Sequence, residues 1–304
     1  MSTHGHDHGA SLANRRRLAI AIAIVGTVLV VEVIGALLSG SLALFADAGH
    51  MLSDLTGLLV ALAATIIAAR PATDRRTFGN RRAEVLGAMI NGAILLAVVV
   101  AIVVEAVQRL IEPGTEVQGW LMLVIAIIGG IANVAALRVL SAGAKDSINL
   151  RGAYLEVLGD LFGSIAVAVA AVVILFTGFE RADAIASLAI AALILPRALA
   201  LLRDVLRVLS QGTPKGTDVS LIRTHVLSKE GVISVHDVHV WSITPGSNVF
   251  SAHIVVDDTV FSECRTDELL DSLSECLSEH FDVAHSTFQL EPLAHAEHES
   301  EQHR

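Results

Sequence analysis

Residues 41–64 read SLALFADAGHMLSDLTGLLVALAA. The run exceeds the roughly 20 apolar residues that cross a bilayer core, yet Asp47, His50 and Asp54 stand inside it. An aspartate at the centre of a membrane helix costs about 2.5–3.5 kcal/mol on insertion scales, so such a group faces a cavity or a partner rather than lipid. The segment therefore reads as a membrane helix that carries a polar site.

Five further apolar runs accompany it. The six expected spans are roughly Leu18–Leu38, Ala43–Ala69, Val85–Val107, Trp120–Leu140, Ala153–Phe176 and Ala184–Leu202. Hydrophobic residues make up 53% of the 304 and charged ones 17%. With a mean hydropathy of +0.65, this is an apolar excess beyond ordinary soluble domains. Six such runs in succession argue for membrane helices rather than the buried helices of a large soluble core. The N-terminus is polar and charged up to Arg17 and shows no cleavage site, so the first helix is expected to be retained.

Basic residues set the expected orientation. They gather before the first span (Arg15, Arg16, Arg17), between the second and third (Arg70, Arg75, Arg76, Arg81, Arg82), between the fourth and fifth (Arg138, Lys145, Arg151) and near the end of the sixth (Arg197, Arg203, Arg207). The opposite side has only Arg109 and Arg181. Basic loops stay in the cytoplasm, which places both termini there.

Charge divides the chain near residue 210. Residues 1–210 carry a net charge of +1 and residues 211–304 a net charge of −11, which argues against nucleic acid as a partner. Cys264 and Cys276 fall in the acidic part without CxxC spacing, and a cytoplasmic disulfide is not expected. Thr217–Lys229 has helical spacing. "VISVHDVHVWSI" (232–243) and "NVFSAHIVVDD" (248–258) read as strands around the turn signal Thr244-Pro-Gly-Ser247. "SECRTDELLDSLSECLSEHF" (262–281) returns to a helix and "VAHSTFQLE" (283–291) to a strand. The expected organisation is a His-containing N-terminal tail (1–16), a six-helix membrane domain (17–210), an α+β domain of order αββαβ (211–292) and a polar, disordered tail (293–304).

The intramembrane polar residues form a pattern. His50 and Asp54 are four apart and Asp47 is three before His50, so all three share one helical face. One helix offers only part of a coordination shell. The fifth span supplies a matching pair in "EVLGD", with Glu156 and Asp160 four apart. Four donors, one imidazole and three carboxylates, suit a small tetrahedral cage of the kind Zn²⁺ prefers. The imidazole turns selection away from Mg²⁺ and Ca²⁺. Helix–helix hydrogen bonds by protonated acids are the plainer alternative.

In "SLALFADAGHMLSD" (41–54), "FGNRRAEVLGAMINGAILL" (78–96), "RGAYLEVLGDLFGS" (151–164) and "VHDVHVWSI" (235–243), the chain resembles the cation diffusion facilitators, and specifically their bacterial zinc/cobalt/cadmium exporters. The likeness runs from about Arg16 to Glu291. It implies six helices, a metallochaperone-like C-terminal domain, a homodimer in the cytoplasmic membrane, and exchange of a divalent metal for protons. Zn²⁺ would be both cargo and regulatory ligand, with no organic cofactor and no enzymatic activity. The family's transport site falls on His50, Asp54, Glu156 and Asp160. Many members have His at the position of Glu156, so this chain departs there, and strict zinc selectivity is put in doubt. No metal is expected in the Arg70–Arg82 loop, where Arg76 and Asn80 stand at ligand positions.

The family's regulatory metal falls on His236, His253 and His285 of the C-terminal strands. His239 and Trp241 are expected to pack. Asp47 is either an acceptor that orients the His50 imidazole or a gate-lining group, and Asn91 either bonds a ligand carboxylate or packs between helices. Glu32 and Glu105 are expected to have a structural or interfacial role. His4, His6, His8, His295, His298 and His303 are weak metal collectors at most. Because ligands bind metal deprotonated, protonation expels metal, and an imidazole titrates near neutral pH. A metal channel and a metal-sensing membrane receptor are the alternatives. A metalloprotease would want HExxH, which the sequence lacks.

Overall fold

The computed structural model describes residues 8–112, 116–142 and 148–296. His4, His6, His298 and His303 lie outside these residues. Six long helices come first: α1 (His8–Ser39), α2 (Leu42–Ala68), α3 (Ala83–Ile111), α4 (Gly119–Ser141), α5 (Ile148–Thr177) and α6 (Arg181–Leu209). All six are long and apolar enough to cross a membrane. Then follow α7 (Val219–Leu227), β1 (Val232–Thr244), β2 (Ser247–Val256), α8 (Asp258–Ser262), α9 (Thr266–Phe281), β3 (Val283–Pro292) and α10 (Leu293–Ala296). The expected αββαβ order stands, with α8 added after β2. Helix α1 extends to His8, ahead of the candidate membrane span Arg16–Ser39. Leu293–Ala296 form a short helix, and the rest of the expected C-terminal tail lies outside the described residues.

The chain divides into two compact units, Met1–Val60 with Ile90–Leu201, and Ala61–Met89 with Leu202–Arg304. The core of the first unit is rich in alanine, including Ala36, Ala43, Ala46, Ala170, Ala171 and Ala198. Small side chains let membrane helices approach closely, since lipid provides no hydrophobic drive between them. Leu37, Ile131 and Phe176 remain exposed, as lipid-facing residues do. The chain is a multi-pass membrane protein.

A carboxylate fixes the start of α2. Gly40, at φ 68°, makes the tight turn from α1, a conformation that costs glycine little. Asp183 of α6, 1% exposed, accepts from the Leu42 and Ala43 amides at 2.7 and 3.1 Å and from Ser41 Oγ at 2.6 Å. These amides are among the N–H groups a helix start leaves unpaired. Arg109 of α3 closes the group, with Nη1 3.4 Å from Asp183 and 2.8 Å from the Gly40 carbonyl. Its Nε pairs with Glu105 at 2.9 Å, in keeping with a structural role for Glu105.

In the second unit the sheet order is β1-β2-β3, with β1 antiparallel and β3 parallel to β2. Phe250, Ala252, Ile254 and Val256 of β2 meet Ile222 and Val226 of α7 and Leu269, Leu273 and Leu277 of α9. Alternation along a strand sends His253 to the other face. Asp218 caps α7 by accepting from the Ser220 and Leu221 amides. These bonds, with the Ser220 hydroxyl first among them, hold its carboxyl below the usual carboxylate range.

Candidate metal sites

The two i, i+4 pairs meet inside the first unit. α2 and α5 are the second and fifth crossings, so they run in opposite directions through a bilayer. His50 lies eight residues from the start of α2 and Glu156 eight from the start of α5, about 12 Å along each helix and from opposite sides of the bilayer. Asp54 and Asp160 then fall nearer the middle.

His50 Nε2 is 3.5 Å from Asp54 Oδ2 and 3.8 Å from Asp160 Oδ1. His50 and Asp160 are 9% and 3% exposed. The remaining imidazole nitrogen, Nδ1, is buried and has no hydrogen-bond partner among the described residues. Two donors held 2.0–2.2 Å from one tetrahedral zinc stand about 3.4 Å apart, so each of the two carboxylates stands from the His50 imidazole at close to the edge of such a cage. A cavity of about 480 Å³ reaches Asp54, Glu156 and Asp160, walled by Leu18, Met51 and Leu140.

Glu156 stands on the rim and is engaged elsewhere. Its Oε1 accepts from Arg197 Nη2 of α6 at 3.0 Å, and Arg197 Nη1 lies 3.7 Å from Asp54 Oδ2. Sequence reasoning counted Arg197 only as an orientation marker. The signal was present, because Arg197 falls inside the expected sixth span, where a charge implies a partner.

Among the described residues, neither Asp47 nor Asn91 hydrogen-bonds the four candidates. Asp47 is 2% exposed and faces Gly163 of α5, where an added Cβ would come 3.0 Å from the Asp47 carboxyl carbon. Gly163 thus admits the acid one turn beyond Asp160. Asn91 accepts from Ser53 Oγ at 3.4 Å and lies against Gly57. Glu32 is 1% exposed and without a hydrogen bond, beside Gly129.

In the C-terminal domain, His236 and His253 are register partners on β1 and β2, with ring centroids 5.2 Å apart. Glu291 completes the group. Its Oε2 is 3.3 Å from His236 Nε2 and its Oε1 2.7 Å from His253 Nδ1, and it is 1% exposed. A register shift between His236 and His239, with Asp237 at φ 50°, brings Asp237 to His239 Nε2 at 3.2 Å and His253 Nε2 at 3.9 Å.

The structure does not bring His285 to this pair. His285 is the register partner of Val249, four residues from His253, which is about 13 Å along a strand. Its ring instead meets Phe78 edge-on at 5.9 Å. Glu291 shares the face of His285 by strand alternation, so pattern alone did not separate the two. In the loop between α2 and α3, Arg76 Nη1 donates to Asn80 Oδ1. His295 is exposed.

The family model described as "Cation efflux transmembrane domain" matches residues 18–210, and that described as "Cation efflux protein, cytoplasmic domain" matches residues 214–293. The chain is 41% identical over 288 residues to the metal cation efflux system protein CzcD of Cupriavidus metallidurans, across 95% of this chain and 89% of that one. It is 39% identical over 293 residues to a cadmium, cobalt and zinc/H(+)-K(+) antiporter of Bacillus subtilis, across 96% and 93%. Identity to the zinc transporter ZitB of Escherichia coli is 38% over 294 residues, across 95% and 92%. A solved structure, the metal-bound C-terminal domain of the CzcD transporter from C. metallidurans, is 33% identical, with a TM-score of 0.22, across 25% of this chain and 99% of that one.

Proposed function

Since the chain belongs to the cation efflux family, we propose that it exports a divalent metal cation across the cytoplasmic membrane in exchange for protons. Zn²⁺ is the foremost cargo, with Cd²⁺ and Co²⁺ as further substrates. It works as a homodimer with both termini in the cytoplasm. The observation that carries this reading is the convergence of His50, Asp54 and Asp160 from two antiparallel crossings, at separations of 3.5 and 3.8 Å. The names of the CzcD, antiporter and ZitB relatives support the direction and the cargo.

The residues suggest the cycle. Metal binds His50, Asp54 and Asp160 in their deprotonated forms, and binding releases protons. Glu156 supplies the fourth donor once it leaves Arg197. When protons return to these ligands and displace the metal, the Arg197 guanidinium pairs again with Glu156. A cation therefore faces Glu156 in both phases, while Asp54 and Asp160 are neutralised by protons, which avoids leaving uncompensated charge at membrane depth. Rocking of the helices presents the site to each side in turn. In the cytoplasmic domain, His236, His253 and Glu291 bind a regulatory ion.

Transport into metal-loaded vesicles, with and without a pH gradient, tests the reading. Zinc flux should follow the proton gradient and should vanish in His50→Ala and Asp160→Ala while the folded dimer persists. Near-original flux in either variant would move the site elsewhere, and gradient-independent flux would favour a channel.

A further inference from the structure

A second side-chain cluster lies on the helical face of the C-terminal domain, apart from both groups described above. Cys276 and His280 are four apart on α9 and so present themselves together, facing His225 of α7. Cys276 is buried, His225 half-buried and His280 exposed. Cys276 Sγ lies 3.6 Å from His225 Nδ1, and the two imidazole centroids are 5.3 Å apart. One donor atom from each residue falls within 4.8 Å of the other two.

Two details go beyond a thiol touching an imidazole. A sulfur about 2.3 Å and a nitrogen 2.0–2.1 Å from one tetrahedral zinc stand about 3.6 Å apart, which is the observed separation. His280 Nδ1 lies 3.2 Å from the Cys276 carbonyl oxygen. A carbonyl only accepts, so Nδ1 carries the hydrogen and Nε2 keeps the lone pair. Metal-ligating imidazoles are oriented by this kind of backbone bond. Phe281 meets the His225 ring edge-on at 5.1 Å and fixes its plane.

We propose that His225, Cys276 and His280 form a binding site for a thiophilic divalent cation, Zn²⁺ or Cd²⁺, with water in the fourth position. Binding releases the Cys276 thiol proton to solvent and forms the sulfur–metal bond. A thiolate with two imidazoles discriminates against Mg²⁺ and Ca²⁺, which take oxygen donors. The ion joins α7 to α9 across the face of the sheet opposite His253, and occupancy stabilises that pairing.

The test is a titration of the full-length protein in detergent with Cd²⁺ and Co²⁺, read by the thiolate-to-metal charge-transfer absorption. The other candidate ligands contain no sulfur, so the band reports this cluster and is independent of transport. We expect a saturable band that disappears in Cys276→Ala and persists in Cys264→Ser. Because His280 is exposed, His280→Ala should fold, and its Cd²⁺ midpoint should weaken by at least the roughly tenfold that loss of even a supporting hydrogen bond costs a metal site. Absence of the band in the native protein, its survival in Cys276→Ala, or unchanged midpoints in both His225→Ala and His280→Ala would overturn the proposal.

Discussion

Arg197 Nη2 of α6 lies 3.0 Å from Glu156 Oε1 of α5, and the same guanidinium reaches Asp54 of α2 at 3.7 Å. One cation thus joins three membrane helices at the rim of the proposed transport site. Arg197→Gln should leave the carboxylates without their resident counter-charge, so that zinc binds more tightly and leaves more slowly. Transport kinetics over graded zinc would show KM and kcat falling together. If both stay unchanged, the ion pair takes no part in the cycle.

Glu156 stands at the one position of the proposed transport site where the resemblance led to an expectation of histidine. Glu156→His replaces a hard oxygen donor with an imidazole, which favours Zn²⁺ over harder ions such as Mn²⁺. It also removes the acceptor of the Arg197 bond. The variant should stay active, discriminate more strongly for Zn²⁺ and show a changed pH profile. Competition assays at two pH values measure all three. An active variant with unchanged selectivity and pH profile would mean that Glu156 never contacts the ion.

Asp183 accepts from two amides, a hydroxyl and Arg109 at the start of α2. Asp183→Ala strands these buried donors, each costing about 1–3 kcal/mol when unpaired. The expected loss is about 3 kcal/mol or more, because an arginine also loses its buried partner. Thermal unfolding in detergent would read it, and Asp183→Asn should recover part of the stability. An unchanged unfolding temperature in Asp183→Ala would show that α2 is held without this cap.

Glu291 and His285 are alternative third ligands for the His236–His253 pair. Calorimetric zinc titration of Glu291→Gln should show weakened binding, by roughly 10–100-fold if Glu291 only supports the histidines and by more if it is a ligand. His285→Ala should leave that affinity unchanged. The reverse result would return His285 to the site.

Asp218 caps α7 with a carboxylate held below its ordinary range by hydrogen bonds from Ser220 and Leu221. A depressed folded value means that the cap stabilises the domain above the ordinary carboxylate pKa and is lost as pH falls through the folded value. Asp218→Asn, which keeps an acceptor but cannot titrate, should flatten this acid-side component. An identical acid unfolding curve for the two proteins would show that the cap does not contribute.

What the sequence determined by itself was periodic and local. Six apolar runs specify six membrane helices because hydrocarbon admits only segments whose backbone hydrogen bonds close internally. Helical spacing alone put His50 with Asp54 and Glu156 with Asp160 on shared faces, and strand alternation with a turn signal gave β1, β2 and β3. Tertiary structure decided which distant groups meet. Arg197 joins Glu156 and Asp54 only because α6 packs beside α2 and α5, and Asp183 caps a helix more than a hundred residues earlier in the chain. Register likewise decided between two same-face residues: β3 pairs with β2 so that His285 falls opposite Val249, while Glu291, opposite Val255, reaches His253. Periodicity fixes the face on which a side chain stands, but the neighbour across the gap is set by the packing of segments far apart in sequence, which no local pattern records.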